Sequence, residues 1–202
     1  MIVDLSKYNL FVGSDAHAYH KNIVSGVTQW KDNEGNIPFD SVRLFNDEEI
    51  MTTTLINNIN KKVGKNDLFI HYGDLSFGGI DNIVRFREQI ICQNIIQING
   101  NHDQHIGHNK IAIYNNKQVE IDSLFKEIHH LGFYFKYGKH KFINCHFPFH
   151  SHDSKEYINL HGHIHSKGEN RFLNKNQFDV GFDGNPNFEP YHISEVLSLL
   201  NL

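Results

Sequence analysis

Ile98-Asn99-Gly100-Asn101-His102-Asp103 is the stretch from which the fold is read. It closes an apolar run, Asn94 to Ile98, that has the length and composition of a short buried strand. Gly100 permits a tight turn, so Asn101 and His102 are delivered at the strand's C-terminal end, where open α/β sheets place their sites. An asparagine carbonyl is a hard oxygen ligand, and an imidazole donates or accepts a proton. The pair therefore suits metal and phosphate chemistry. Taken alone, Gly-Asn-His-Asp also reads as a polar turn. Four further stretches of matching chemistry, each at the end of an apolar run, weigh against the turn.

Upstream of this stretch, apolar segments alternate with helical ones. A first strand is expected over roughly Tyr8 to Val12, ending in Ser14-Asp15-Ala16-His17-Ala18-Tyr19-His20. Ser25 to Asp40, with Trp30, Gly35 and Pro38, reads as a polar insert crossing the surface. Asn46 or Asp47 can cap a helix whose Ile50, Leu55, Ile56 and Ile59 share one apolar face, with Gly64 past its end. Leu68 to Tyr72 is a second buried strand ending in Gly73-Asp74, and a second helix is expected over about Ile80 to Ile91. The order β-α-β-α-β argues for a layered α/β fold.

Downstream the character changes. Phe133 to Tyr137 and Lys141 to Cys145 flank Gly138 as a hairpin. Tyr157 to Leu160 and Gln177 to Gly181 are further strands, and Glu195 to Leu202 reads as either a short helix or a strand. Gln104 to Gln118 is polar, so a mobile loop that could lie over the site is expected there. With no repeat, low-complexity tract or linker in sight, one domain over 1–202 is expected.

Composition narrows the function classes. The 202 residues are 39% hydrophobic and 21% charged, ordinary for a globular chain. A net charge of -4 carries no basic stripe for long nucleic acid, yet leaves a small phosphate ester or a nucleotide open as substrate. No apolar stretch is long enough for a bilayer, so no membrane partner is expected. Met1 to Leu10 lacks a signal pattern, and a cytoplasmic location is expected. Cys92 and Cys145 are too few for a disulfide framework and are expected as buried thiols. Nothing in the chain speaks to oligomeric state. Histidine stands out at 16 residues, and the question is which of them converge.

Five loops carry the candidates: Asp15 with His17, Asp74, Asn101 with His102, His146, and His163 with His165. Asp15-x-His17 and His163-x-His165 each place two ligand types on alternate residues, which an extended segment points the same way, with Ile164 toward the core. Either pair alone is more often a surface feature. Together and in this order the five stretches resemble the calcineurin-like metallophosphoesterase superfamily. The matching motifs are Asp15-x-His17, Gly73-Asp74, Gly100-Asn101-His102-Asp103, His146 before Phe147-Pro148, and Gly162-His163-x-His165. Gly73-Asp74-Leu75-Ser76-Phe77-Gly78-Gly79 and Leu160-His161-Gly162-His163-Ile164-His165 are most similar to small single-domain phosphoesterases of phages and bacteria.

That resemblance implies a four-layer α/β/β/α sandwich, two mixed β-sheets flanked by helices, with a dinuclear metal site at the strand C-terminal ends. It implies that Asp15, His17, Asp74 and His165 hold one divalent cation. Asp74 would bridge to a second cation, completed by Asn101, His146 and His163. His102 would contact the scissile phosphate and assist the leaving oxygen. Two cations about 3.5–4 Å apart would clamp the phosphate and generate a bridging hydroxide for in-line attack. Manganese is the expected metal, and iron, nickel or zinc also suit such a donor set. The sequence departs from the protein Ser/Thr phosphatases, because Leu75 to Gly79 holds neither Asp nor Arg, and no carboxylate that would orient His102 is evident. The tyrosine ligand of purple acid phosphatases is also missing, Phe77 standing near that place.

Other candidates have two readings each. His20 either reaches a substrate phosphate or bonds to backbone. His150 and His152 compete with His146, but sit in a loop rather than at a strand end. Asp179 and Asp183 either support ligand imidazoles or form turns, and Trp30 either packs over the cleft or anchors its loop. His105, His108, His129 and His130 read as surface or core-edge residues. The expected activity is hydrolysis of phosphate esters, diester over monoester, with a catalytically silent metal-binding scaffold as the alternative.

Overall fold

Among the residues that the computed structural model describes (2–38, 41–151, 153, 155–167 and 176–202), the chain opens on strands β1 (Val3–Asp4) and β2 (Leu10–Gly13). Helix α1 (Glu48–Lys62), strand β3 (Leu68–His71), helix α2 (Ile80–Gln89) and strand β4 (Asn94–Ile98) follow. The β-α-β-α-β reading therefore matches the order of elements. The first strand begins at Leu10 rather than Tyr8, and α2 ends at Gln89. Asp47 rather than Asn46 caps α1, its side chain accepting from the Ile50 N–H at 2.7 Å. Leu55, Ile56 and Ile59 are buried as expected, but Ile50 sits in the first turn at 46% exposure and lies off that face.

The second half contributes β5 (Ile111–Tyr114), β6 (Lys117–Glu120), β7 (Glu127–His129), β8 (Phe133–Tyr137), β9 (His140–Asn144), β10 (Tyr157–His161), β11 (Gln177–Asp179), β12 (Tyr191–His192) and helix α3 (Ile193–Leu199). The C-terminal segment is thus helical. Its start is fixed by a capping box in which the His192 side chain and Glu195 satisfy each other's backbone amides.

Two mixed sheets result. One runs β12-β2-β3-β4-β7 and the other β1-β8-β9-β10-β11. Only β12 against β2 and β8 against β9 are antiparallel within them. The sheets face each other across Leu10, Val12, Ile70 and Ile96 on one side and Phe142, Leu160 and Phe178 on the other. Strands buried on both faces must be apolar throughout, and Phe11, Phe69 and Ile95 point the opposite way into a second core with Leu55, Ile59, Ile83 and Phe86 of α1 and α2. Helix α3 packs Ile193 and Val196 into the inter-sheet core. The expected sandwich of two mixed sheets with flanking helices is present. No helix among the described residues is long and apolar enough to cross a membrane. Cys92 is buried and Cys145 half-buried.

The segment expected as a loop over the site is instead largely the β5–β6 hairpin, which packs against α2. Asn115 and Asn116 turn it, with φ of 49° and 60°. Asparagine tolerates that left-handed region because its short amide bonds locally. The polar insert is clasped at its base, where Val24 bridges Arg43 and the Ser25 N–H donates to the Arg43 carbonyl at 2.9 Å.

Candidate metal centre

Each predicted site residue follows a parallel strand. Asp15 and His17 follow β2, Asp74 follows β3, and Asn101 and His102 follow β4. His146 follows β9, and His163 and His165 follow β10. Adjacent parallel strands point the same way, so their C-terminal loops share one end of the sandwich. The loops are not extended, as the alternate-residue reading supposed. Asp15, His17, Asp74, His163 and His165 all have φ between 46° and 73°. A non-glycine residue in that region costs on the order of 1–3 kcal/mol, and such strain persists only where surrounding contacts hold it. Glycines make room for the resulting close approach. A Cβ on Gly100 would lie 2.2 Å from Asp74 Oδ1, and one on Gly162 1.9 Å from Ser14 Oγ.

The two aspartates are used alike. Asp15 Oδ2 accepts from the His163 N–H at 2.9 Å, and Asp74 Oδ1 accepts from the His102 N–H at 3.0 Å. Each carboxylate thereby fastens a loop with one oxygen and turns the other inward. Asp15 Oδ1 is buried without a hydrogen-bond partner and lies 3.7 Å from His17 Nε2 and 3.6 Å from His165 Nε2. Asp74 Oδ2 lies 3.7 Å from His17 Nε2 and 3.6 Å from His146 Nε2, and Asn101 Oδ1 is 3.2 Å from His146 Nε2. Two groups of ligand atoms, Asp15/His17/His165 and Asp15/Asp74/His146, each fall within 4.8 Å.

The imidazoles are turned to match. The His146 Nδ1–H donates to the Tyr72 carbonyl at 2.7 Å, and the His165 Nδ1–H to Asp183 Oδ2 at 2.8 Å. Both Nε2 lone pairs are then left facing the carboxylates. His17 Nε2 and His165 Nε2 approach to 3.1 Å. Converging lone pairs on buried carboxylates and imidazoles are costly unless a cation lies among them, so these residues fit a metal centre. His163 is exposed at its rim, its ring 5.1 Å from His146 and 4.7 Å from Phe147. Ile164 does not face the core; it is 37% exposed and lines the cleft.

A buried frame holds the centre. Arg43 grips Asp183 through Nε (3.0 Å) and Nη2 (2.7 Å), and also donates to the carbonyls of Asp15 and Ala16. Asp103 accepts from the N–H groups of Asp74, Leu75 and Gly100 and from Gln97 Nε2. Neither Arg43 nor the anchoring use of Asp103 was foreseen from sequence. The signal for Arg43 was a lone arginine inside Val42-Arg43-Leu44-Phe45. Asp183 supports a ligand-type imidazole, whereas Asp179 binds the N–H groups of Ser166 and Gly181.

Charge follows this layout. Burial opposes ionisation of Asp15, but the imidazoles of His17, His165 and His146 gathered round it hold the carboxyl well below its usual range. Burial likewise opposes Asp183, and Arg43 and His165 overcome it. Burial pushes the His17 imidazole down to about 3 and His20 down to about 4, so both stand neutral at pH 7. The His165 imidazole is raised, because Asp183 and Asp15 outweigh its burial.

His102 stands at the mouth with its side chain 45% exposed, its ring 4.6 Å from Phe77 and its Nε2 4.0 Å from Asp74 Oδ2. His20 lines the same cleft, and its Nδ1 bonds to no backbone group. Its ring lies 3.8 Å from that of Phe77. His150 is exposed in a bend, away from the strand end that His146 occupies, and His152 lies outside the described residues.

The family model described as calcineurin-like phosphoesterase matches residues 14–193. Among solved structures, a protein of unknown function from Aquifex aeolicus is similar, at 17% identity and a TM-score of 0.65, over 94% of this chain and 98% of that one. That likeness is one of fold. No curated protein matches the chain significantly.

Proposed function

The chain belongs to the calcineurin-like phosphoesterase family, and on that premise we propose that it is a metal-dependent phosphoesterase that prefers phosphodiesters to phosphomonoesters. The observation that carries this reading is the paired use of Asp15 and Asp74, each binding a loop with one oxygen and presenting the other to imidazole nitrogens 3.6–3.7 Å away. In this reading Asp15, His17, Asp74 and His165 hold one divalent cation, and Asp74, Asn101, His146 and His163 hold the other. Manganese is the expected ion, with iron, nickel and zinc also suited to the donors. Two such cations, when bound, supply Lewis-acid charge at the phosphate and acidify a water to serve as nucleophile.

The chain's own residues do the rest. Asp74 Oδ2 lies 3.7 Å from His17 Nε2 and 3.6 Å from His146 Nε2, which supports its serving both cations. His102 reaches the cleft on a backbone N–H tied to Asp74, so its ring is set beside the phosphate position. There Nε2 hydrogen-bonds the phosphate and passes a proton to the departing oxygen. Neutral His20, against Phe77, offers a further contact to the phosphate.

The test is metal-restored hydrolysis. Protein stripped with chelator and given manganese should hydrolyse bis-p-nitrophenyl phosphate faster than p-nitrophenyl phosphate. Asp74→Asn should abolish turnover, and His102→Ala should lower kcat by about 10²–10⁴-fold while leaving metal uptake intact. No turnover of either ester by the metal-loaded protein would contradict the reading. Full turnover in His102→Ala would remove that residue from the chemistry.

A further inference from the structure

The cleft that holds the metal-facing side chains has a second wall that phosphate hydrolysis alone does not use. The cavity measures about 440 Å³ and is bounded on that side by Ile23, Trp30, Phe77 and Ile164. Clefts of roughly 300–1,000 Å³ take a whole small-molecule ligand, so room remains beyond the phosphate. Two of these four side chains, Trp30 and Phe77, are flat rings. Trp30, the single tryptophan of the chain, is 40% exposed and meets the His20 ring edge-on at 5.8 Å. His20 lies on Phe77 at 3.8 Å, and Phe77 on His102 at 4.6 Å. The rings thus run without a break from Trp30 to the residue beside the phosphate.

The indole is presented by a braced backbone. The Trp30 N–H donates to Thr28 Oγ1 at 3.1 Å, and the Thr28 hydroxyl donates to the Asn22 carbonyl at 2.7 Å. Below them, Val24 pairs with Arg43.

We propose that this wall binds the flat heteroaromatic base of a nucleoside, so that the substrate is a small nucleotide ester whose base stacks on Trp30. The inference rests on the phosphoesterase reading for the other half of the cleft. A bare sugar would ask for several hydrogen-bond partners, and apart from the imidazoles and the metal-facing residues the lining offers only the indole N–H and the Ser41 hydroxyl. A base offers a π-face to a ring and needs no such partners. The net charge of -4 argues for one nucleotide rather than a long strand.

Because Trp30 is the chain's single tryptophan, its emission reports the wall directly. Adenosine 5′-monophosphate and ribose 5-phosphate are titrated into manganese-loaded protein, with the indole excited selectively. The adenosine ester should quench the emission saturably and bind roughly tenfold or more tighter than the ribose ester. By calorimetry, Trp30→Ala should bring the two affinities together, and Trp30→Phe should keep them apart. Equal affinities, no binding of either ester, or adenylate binding with the emission unmoved would overturn the proposal. The same preparation is assayed with bis-p-nitrophenyl phosphate. Hydrolysis without adenylate preference defeats the wall alone, and preference without hydrolysis defeats the phosphoesterase reading alone.

Discussion

Asp183 is tied to His165 at 2.8 Å and to Arg43 at 2.7 Å, and all three sit within or beside the buried frame. Its carboxylate fixes the His165 tautomer, and partners of this kind change metal affinity by about 10–100-fold when lost. Asp183→Asn should therefore weaken manganese binding by that factor in calorimetry. It should also lower urea stability by about 3 kcal/mol, because Arg43 is left buried with its charge unmatched. Unchanged metal affinity would show that His165 needs no such support. His71 gives a pH prediction. Burial pushes its imidazole down to about 4, so the folded chain keeps it neutral while the unfolded chain protonates it near 6.5. Its contribution is complete above about pH 6.5 and is lost as pH falls toward 4, at up to about 1.4 kcal/mol per pH unit. Metal-free His71→Gln should show a shallower acid slope than the wild type in denaturant titrations across that window. An unchanged slope would contradict this. The residues that sequence revealed were those whose chemistry sits in short motifs, such as Asn101-His102 and Asp15-x-His17. Arg43 and its partner Asp183 are 140 positions apart, and no local pattern announces such a pair. The left-handed backbone of Asp15, His17, Asp74, His163 and His165 was equally hidden, because only the tertiary contacts impose it.

Periodicity found α1, α2 and strands β2, β3 and β4, since each buries a regular apolar pattern. It missed the β5–β6 hairpin, whose exposed Ile111 and Ile113 alternate with buried Ala112 and half-buried Tyr114 among many polar residues. The turn also lacks the glycine that marks most tight hairpins, using Asn115-Asn116 instead. The C-terminal helix was ambiguous because seven residues span under two turns, and its capping box depends on histidine, which is not a usual cap. One measurement checks how α1 is anchored. Asp47→Ala removes the acceptor for the Ile50 N–H and should lower stability by about 1 kcal/mol in urea unfolding. A cost near zero would mean that tertiary packing, not the cap, fixes the helix start.

The two sheets each supply half of the centre. Asp15, His17, Asp74, Asn101 and His102 follow strands of one, and His146, His163 and His165 follow strands of the other. That convergence was readable only as an ordered set of motifs spread from residue 15 to 165, because no single stretch contains both halves. A cation held between the sheets binds the folded chain and not the unfolded one. Manganese at 100 times its dissociation constant should therefore stabilise the protein by about 2.7 kcal/mol, and chelation should reverse this. The most direct measurement is the metal content of the chain after equilibration with manganese, taken together with turnover of bis-p-nitrophenyl phosphate, for the wild type and Asp74→Asn. Two ions per wild-type chain, with one or fewer and no turnover in Asp74→Asn, is the expected result. No bound metal in the wild type, or undiminished metal and turnover in the variant, would contradict a dinuclear hydrolytic centre built around Asp74.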